Sequence, residues 1–311
     1  MLPATPNTCG TNLTHKASGY TITGVLEINM SRMPALFIGH GSPMNTLELN
    51  GFTRAWRALG ATLPRPRAIL AVSAHWYIGA TAVTAMAKPR TIHDFYGFPK
   101  PLFDFEYPAP GSPEIAQEIV DAVKPGWVGA DHGEWGLDHG TWSVLAHLFP
   151  RADVPVIQLS INASKPFDYH FDLGTRLSAL RDRGILVLSS GNVVHNLRLI
   201  DWKRPTEGAD WAHRFDEAAV AQMHDEPAAI AKLGEHPDFA RAVPTPEHFI
   251  PLLYTAGLAA VEGRCQSLLR SYSLGSLSMT CYNVGADLDL PGETEGVADL
   301  PGDVPPDQTN T

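Results

Sequence analysis

The chain has 311 residues, 44% of them hydrophobic, enough for a sizeable core in one large domain or two small ones. A formal net charge of −10 with no basic run argues against nucleic acid as a partner, and no apolar stretch approaches the length of a membrane span. The three cysteines, Cys9, Cys265 and Cys281, are too few and too scattered for a disulfide framework or a thiolate zinc site, which fits a reducing cytoplasm.

Residues 1–32 are polar and lack the apolar core of a signal peptide. Met33 directly precedes the first apolar run, so this stretch reads as a poorly ordered extension or an over-called start. The run Pro34-Ala35-Leu36-Phe37-Ile38 has the length and character of a buried strand. Gly39 and Gly41 flank His40 and let the backbone turn sharply, exposing the imidazole at the strand's C-terminal end. In open α/β sheets, ligands bind at that edge. Residues 51–60 carry Phe52, Ala55, Trp56 and Leu59 at helical spacing, with Gly60 as the stop. A second strand, 68–73, ends in Ala74-His75-Trp76, and 81–86 is a weaker strand.

A long aromatic, proline-rich loop follows over 89–113 and contains Ile92-His93-Asp94-Phe95-Tyr96. A loop of this length in a compact domain ordinarily has a function. As an aromatic flap on the core or a wall of a pocket, it places His93, Phe95 or Tyr96 near a substrate. Ser112 as N-cap and Pro113 at the first helical position open a helix with Ile115, Ile119 and Val123 on its apolar face. Two Asp-His-Gly units, starting at Asp131 and Asp138, sit in a glycine-rich loop, and Thr141 caps a helix running to Leu148. The order is then a strand over 154–161, an amphipathic helix over 165–183, and a strand over 184–190 that runs into Gly191-Asn192-Val193-Val194-His195-Asn196. Residues 210–233 read as a helix. Thr245-Pro246-Glu247-His248 is a helix start that puts His248 in the first turn of a buried helix over 249–260. Residues 266–284 alternate as two strands around Gly275.

No Lys or Arg follows Arg270, and the acidic residues Asp287, Asp289, Glu293, Glu295, Asp299, Asp303 and Asp307 lie among prolines and glycines. Residues 286–311 therefore read as an acidic disordered tail, leaving 33–285 as a single α/β domain. Its expected architecture is a mixed central sheet flanked by helices, with a metal site at the C-terminal edge of the strands.

A lone histidine after a strand is ordinarily a hydrogen-bonded loop residue. Three strands that each deliver one, His40, His75 and His195, to the same edge point instead to a metal or catalytic site. His139 and His248 are further candidates, with Glu247 and the aspartates of the Asp-His-Gly units nearby. Imidazole suits zinc and iron alike, and a three-ligand site with open positions serves either a catalytic zinc or a non-haem Fe(II). A histidine outside the ligand set can act as acid or base near neutral pH. No phosphate-binding glycine loop and no Gly-x-Ser-x-Gly nucleophile turn is present.

Taken together, Gly-His-Gly-Ser-Pro-Met-Asn at 39–45, Ser-Ala-His-Trp at 73–76, Thr-Ile-His-Asp-Phe-Tyr-Gly-Phe-Pro at 91–99, Tyr-Pro-Ala-Pro-Gly at 107–111, Leu-Asp-His-Gly at 137–140, Gly-Asn-Val-Val-His-Asn at 191–196 and Pro-Glu-His-Phe at 246–249 resemble the class III extradiol ring-cleavage dioxygenases, in the DOPA 4,5-dioxygenase-like branch of the LigB superfamily. The resemblance covers about residues 33–284. It implies opening of a catechol such as DOPA by O₂, beside the two hydroxyls, at one non-haem metal ion: Fe(II) for activity, with Zn(II) able to occupy the same site. It further implies His40, His75 and His248 as ligands, the neighbouring Glu247 being the alternative third. His195 becomes the base that takes a catechol proton or a fourth metal contact, and His139 supports the ligands or assists proton delivery. A zinc-dependent hydrolase and a non-catalytic binding protein are the competing readings, and a monomer or small homo-oligomer is expected.

Overall fold

The structure, a computed structural model, describes residues 32–288, 290 and 296–310. The expectation for residues 1–32 lies, Arg32 apart, outside the described residues. The elements run β1 (Ala35–Gly39), α1 (Gly51–Thr62), β2 (Ala68–Ile78), β3 (Ala82–Thr84), α2 (Lys100–Phe103), α3 (Pro113–Ala122), β4 (Gly129–Asp131), α4 (His139–Leu148), β5 (Val156–Asn162), α5 (Phe167–Arg181), β6 (Ile185–Gly191), α6 (Asp210–Asp225), α7 (Phe239–Ala242), α8 (Ile250–Glu262), β7 (Cys265–Leu269), β8 (Tyr272–Ser273), β9 (Leu277–Ser278) and β10 (Cys281–Val284).

Eight strands form one mixed sheet in the order β4-β3-β5-β2-β6-β1-β10-β7, while β8 and β9 pair separately. Both faces of the sheet are covered. Leu70 and Val72 of β2 face the core built with α3, α5, α6 and α8, whereas Ile69 and Ala71 face the core built with α1, α4 and the aromatic 89–113 loop. Burial on both faces is why the central strands are continuous apolar runs rather than alternating ones. The strands β2, β6 and β1 lie side by side and parallel, with Ser73 opposite Ser190 and Gly39 opposite Gly191. The chain therefore leaves all three at one edge of the sheet, carrying His40, His75 and His195 with it.

Local structure departs from the sequence reading in several places. Helix α1 continues through Gly60, because that glycine serves close packing rather than termination: a Cβ there would stand 2.1 Å from the Leu148 carbonyl oxygen. The cap of α4 is Asp138, which accepts from the Thr141 amide at 3.1 Å, so His139 takes the first helical position. The 210–233 segment breaks after α6, and Pro227 begins a separate 3-10 helix, Pro227–Glu235. Thr245 does not cap α8. Its hydroxyl donates to Glu247 Oε1 at 2.6 Å, and His248 occupies the turn that precedes the helix. Residues 266–284 form parts of four short strands rather than two.

The described part of the acidic tail is packed rather than disordered. Leu288, Ala298 and Leu300 bury their side chains, and the carbonyls of Val297 and Asp299 accept from Asn50 Nδ2 and Ser42 Oγ. Charge and proline content dominate the composition of this stretch, but a few apolar anchors and backbone hydrogen bonds hold it.

Candidate metal centre

His40 follows β1, His75 lies near the end of β2 and His195 follows β6. His139 opens α4 and His248 sits just ahead of α8, so two helix starts add to the three strand ends. All five imidazoles converge. His40 and His75 face each other with Nε2 atoms 3.2 Å apart. Ring centroids of His75 and His139 are 3.8 Å apart, and the His248 ring stands 5.4 Å from that of His40 and 5.0 Å from that of His75. His195 stacks on His248 at 3.6 Å with the planes 5° apart. The tightest donor set is His40, His75 and His139, whose ligating atoms lie within 4.8 Å of one another. The trio expected from the sequence, with His248 as its third member, is thus close in ring position, while His139 is closer in donor position.

The outer nitrogens explain how the rings are aimed. Ser190 Oγ donates its single proton to the Gly140 carbonyl at 2.5 Å, so toward His40 Nδ1, 3.0 Å away, it acts as acceptor. Asp94 stands behind two histidines at once, with Oδ2 3.4 Å from His75 Nδ1 and Oδ1 3.0 Å from His139 Nδ1. Glu247 Oε1 lies 3.3 Å from His248 Nδ1. A carboxylate only accepts, so the Glu247 hydrogen bond favours the tautomer with the proton on His248 Nδ1, while Asp94 favours the same for His75 and His139 by charge at ion-pair distance, which leaves the Nε2 lone pairs directed inward. The Nε2 atoms of His139 and His248 are buried without a hydrogen-bond partner among the described residues, as are His139 Nδ1 and Asp94 Oδ2. Lone pairs facing each other at 3.2 Å, with two more orphaned alongside, are what a divalent cation relieves. The donor set fits a borderline metal such as zinc or iron.

Electrostatics agree with this. Burial first, then the charges of neighbouring imidazoles, hold His40 and His75 well below the ordinary imidazole value, so both stay neutral and able to coordinate. Burial pushes the Glu247 carboxyl up, but the hydrogen bond and charge of His248 and the Thr245 hydroxyl outweigh it and hold the group down at about 2. The carboxylate stands against the outer nitrogen of His248, its Oε1 3.3 Å from Nδ1. Burial likewise raises Asp94, and His139 reverses it to a net lowering. Asp138, buried at the start of α4, is pushed up to about 6 by burial and by Asp94.

The 89–113 loop lies on the histidine side of the sheet. Phe95 is buried with its ring 5.6 Å from that of His139. His93 is turned into the aromatic packing between Phe95, Phe103 and Trp142, and its Nε2 donates to the Phe105 carbonyl at 2.9 Å. Tyr96, expected near a substrate, instead turns its ring to solvent at 66% exposure while its amide donates to the Thr309 carbonyl at 3.1 Å. Of the two Asp-His-Gly units only the second reaches the site. Asp131 accepts from the amides of Gly133, Glu134 and Trp135 and serves its own turn.

Residues 30–282 match the family described as the catalytic LigB subunit of aromatic ring-opening dioxygenase. The chain belongs to this family. It is an oxidoreductase of the extradiol dioxygenase class. Among the relatives of this LigB chain, a protein of Escherichia coli (strain K12) named 4,5-DOPA dioxygenase extradiol is 47% identical over 267 residues, which span 84% of this chain and 98% of that protein. A protein of the same name from Beta vulgaris is 34% identical over 270 residues, spanning 79% of this chain and 94% of its own length. A crystal structure of an uncharacterised Escherichia coli K12 protein superposes with a TM-score of 0.72 at 44% identity, covering 82% of this chain and all of that one. No helix among the described residues is long and apolar enough to cross a membrane.

Proposed function

We propose that this LigB chain opens a catechol such as DOPA with O₂ at a single non-haem metal ion held by His40, His75 and His248, with Fe(II) as the active metal and Zn(II) able to fill the same site. The observation that carries the reading is the pair of Nε2 atoms 3.2 Å apart, each with its outer nitrogen facing a hydrogen-bond acceptor. His248 is preferred over His139 as third ligand because of access. His139 is closed off by Phe95 and Trp142, whereas His248 stacks on His195 on the side that retains some exposure. The two relatives named 4,5-DOPA dioxygenase extradiol support DOPA as the substrate.

The chemistry such an ion supplies when bound is redox coupling between the electron-rich ring and O₂. The chain supplies the surroundings. The His195 imidazole, stacked on His248, accepts a catechol proton. Asp94 and Glu247 fix the rings of His75, His139 and His248. Phe95 and Trp142 close the inner wall and keep water from it. His139, beside Asp94, backs the ring of His75 from the closed side.

The test is an aerobic assay of the Fe(II)-loaded chain against a catechol panel with an oxygen electrode. A yellow ring-opened product with matching O₂ uptake is expected, DOPA being among the best substrates. A fully metallated protein that consumes no O₂ with any catechol sinks the proposal. Metal analysis of His248→Gln beside His139→Gln decides the third ligand, since only the former is expected to lose the ion.

A further inference from the structure

One segment takes no part in this chemistry: residues 296–310. It begins beyond residue 282, where the family match ends. Yet it touches three loops at the strand edge that carries the histidines. Ser42, two residues past His40, donates through Oγ to the Asp299 carbonyl at 2.7 Å. Asn310 Nδ2 donates to the carbonyl of Asp94, and the neighbouring Tyr96 amide donates to Thr309 at 3.1 Å. Arg198, three residues past His195, places Nε 3.1 Å from Asp307 Oδ2. Between these anchors the segment lies tightly on Gly97. A Cβ there would stand 2.5 Å from Val304 Cγ2, and the φ of +79° is one that side-chain-bearing residues rarely adopt. Thr309 is fully buried.

We infer that residues 296–310 form a strap that closes the rim of the histidine cluster and positions Asp94, and through Asp94 the rings of His75 and His139. The inference rests on reading the cluster as a metal centre. Thr309 and Asn310 are positioning residues: they fix the backbone on both sides of Phe95, and that backbone carries the carboxylate standing behind two of the histidines. The strap is held by a few hydrogen bonds, an exposed ion pair and a few apolar anchors such as Leu300, with no strand pairing to the sheet among the described residues, so it opens more readily than the sheet beneath it. A substrate that reaches the cluster from the strand edge passes this rim. Opening admits it, and closing excludes water.

The experiment uses the full chain carrying Val304→Asp and Asn310→Ala, neither of which touches a histidine of the cluster. Hydrogen exchange of the Tyr96 amide is measured on the metal-free protein, and release of Zn(II) to a chelator is measured on the loaded protein. Exchange at Tyr96 is expected to quicken by at least about 10-fold as the strap loosens. Zn(II) release is expected to quicken by about 3- to 10-fold, the scale of one lost hydrogen bond acting through Asp94. Unchanged exchange overturns the strap, and faster exchange with unchanged Zn(II) release overturns its positioning role. A parent chain that takes up no Zn(II) overturns the metal reading itself, an outcome the exchange measurement keeps separate from failure of the strap.

Discussion

Replacing Asp94 by Asn tests the electrostatic logic of the centre with a change of almost no volume. Each carboxylate oxygen faces the outer nitrogen of a different histidine, at 3.4 Å for His75 and 3.0 Å for His139, and Oδ1 also accepts from the His139 amide at 3.0 Å. An amide of the same shape keeps one acceptor and turns the other position into a donor. The ring opposite the new NH₂ must then accept at Nδ1 and carry its proton on Nε2, which withdraws that lone pair from the cluster. Partners behind metal-binding histidines are worth about 10- to 100-fold in affinity, or roughly 1.4–2.7 kcal/mol. Competition of the purified metal-free protein against a chromophoric zinc indicator should show a loss in that range for Asp94→Asn. An affinity within about 2-fold of the parent would refute the reasoning, because the carboxylate would then have no hold on the ligands.

His195→Gln should retain the metal and lose about 10²–10⁴ in kcat, the usual weight of a general base; metal analysis beside turnover checks it, and a variant that loses the ion makes His195 a ligand instead. The other prediction concerns pH and stability away from the centre. Burial holds His170, hydrogen-bonded to the Tyr254 hydroxyl at 3.0 Å, at about 4 against an ordinary 6.5. Between those values the unfolded chain binds a proton that the folded chain does not, so stability is complete above 6.5 and falls by roughly 3 kcal/mol as pH drops to about 4. The melting temperature of His170→Gln, followed across that window, should fall less steeply than the parent's; parallel curves would contradict the assignment.

Much of this centre is legible in the sequence because it is built from strand ends. Apolar runs that end in a histidine mark His40, His75 and His195, and adjacent parallel strands bring such ends together by geometry alone. The layer behind the rings carries no such mark. Asp94 sits in an irregular loop with no periodicity, and Ser190 is a polar residue at the end of an apolar strand, so neither has a local signal of facing an imidazole. The cap of α4 lies three residues ahead of Thr141 because Asp138 and Thr141 are both good caps, and the choice depends on which reaches the free amide. The described part of the tail packs against expectation for a related reason: composition averages over the whole stretch, whereas a few buried residues such as Leu300 and Thr309 decide whether that part is held.

The placement of charge also bears on what the centre binds. The inward-facing groups are imidazoles, and the carboxylates Asp94 and Glu247 stand one layer back against the outer nitrogens. A carboxylate inside the cluster would cancel part of a cation's charge directly. Behind the rings, it aims the lone pairs and makes them more basic while leaving most of that charge exposed on the open side. The side that remains open is the one bordered by His195 and His248, which retain 8% and 5% exposure, against none for His40 and His139. On the proposed function, with a cation held by the cluster, a ligand arriving there would meet a positive centre with the His195 imidazole beside it. Such a combination would favour a weak acid that binds as an anion, as the proposed catechol is, over a neutral ester or amide with no proton to give.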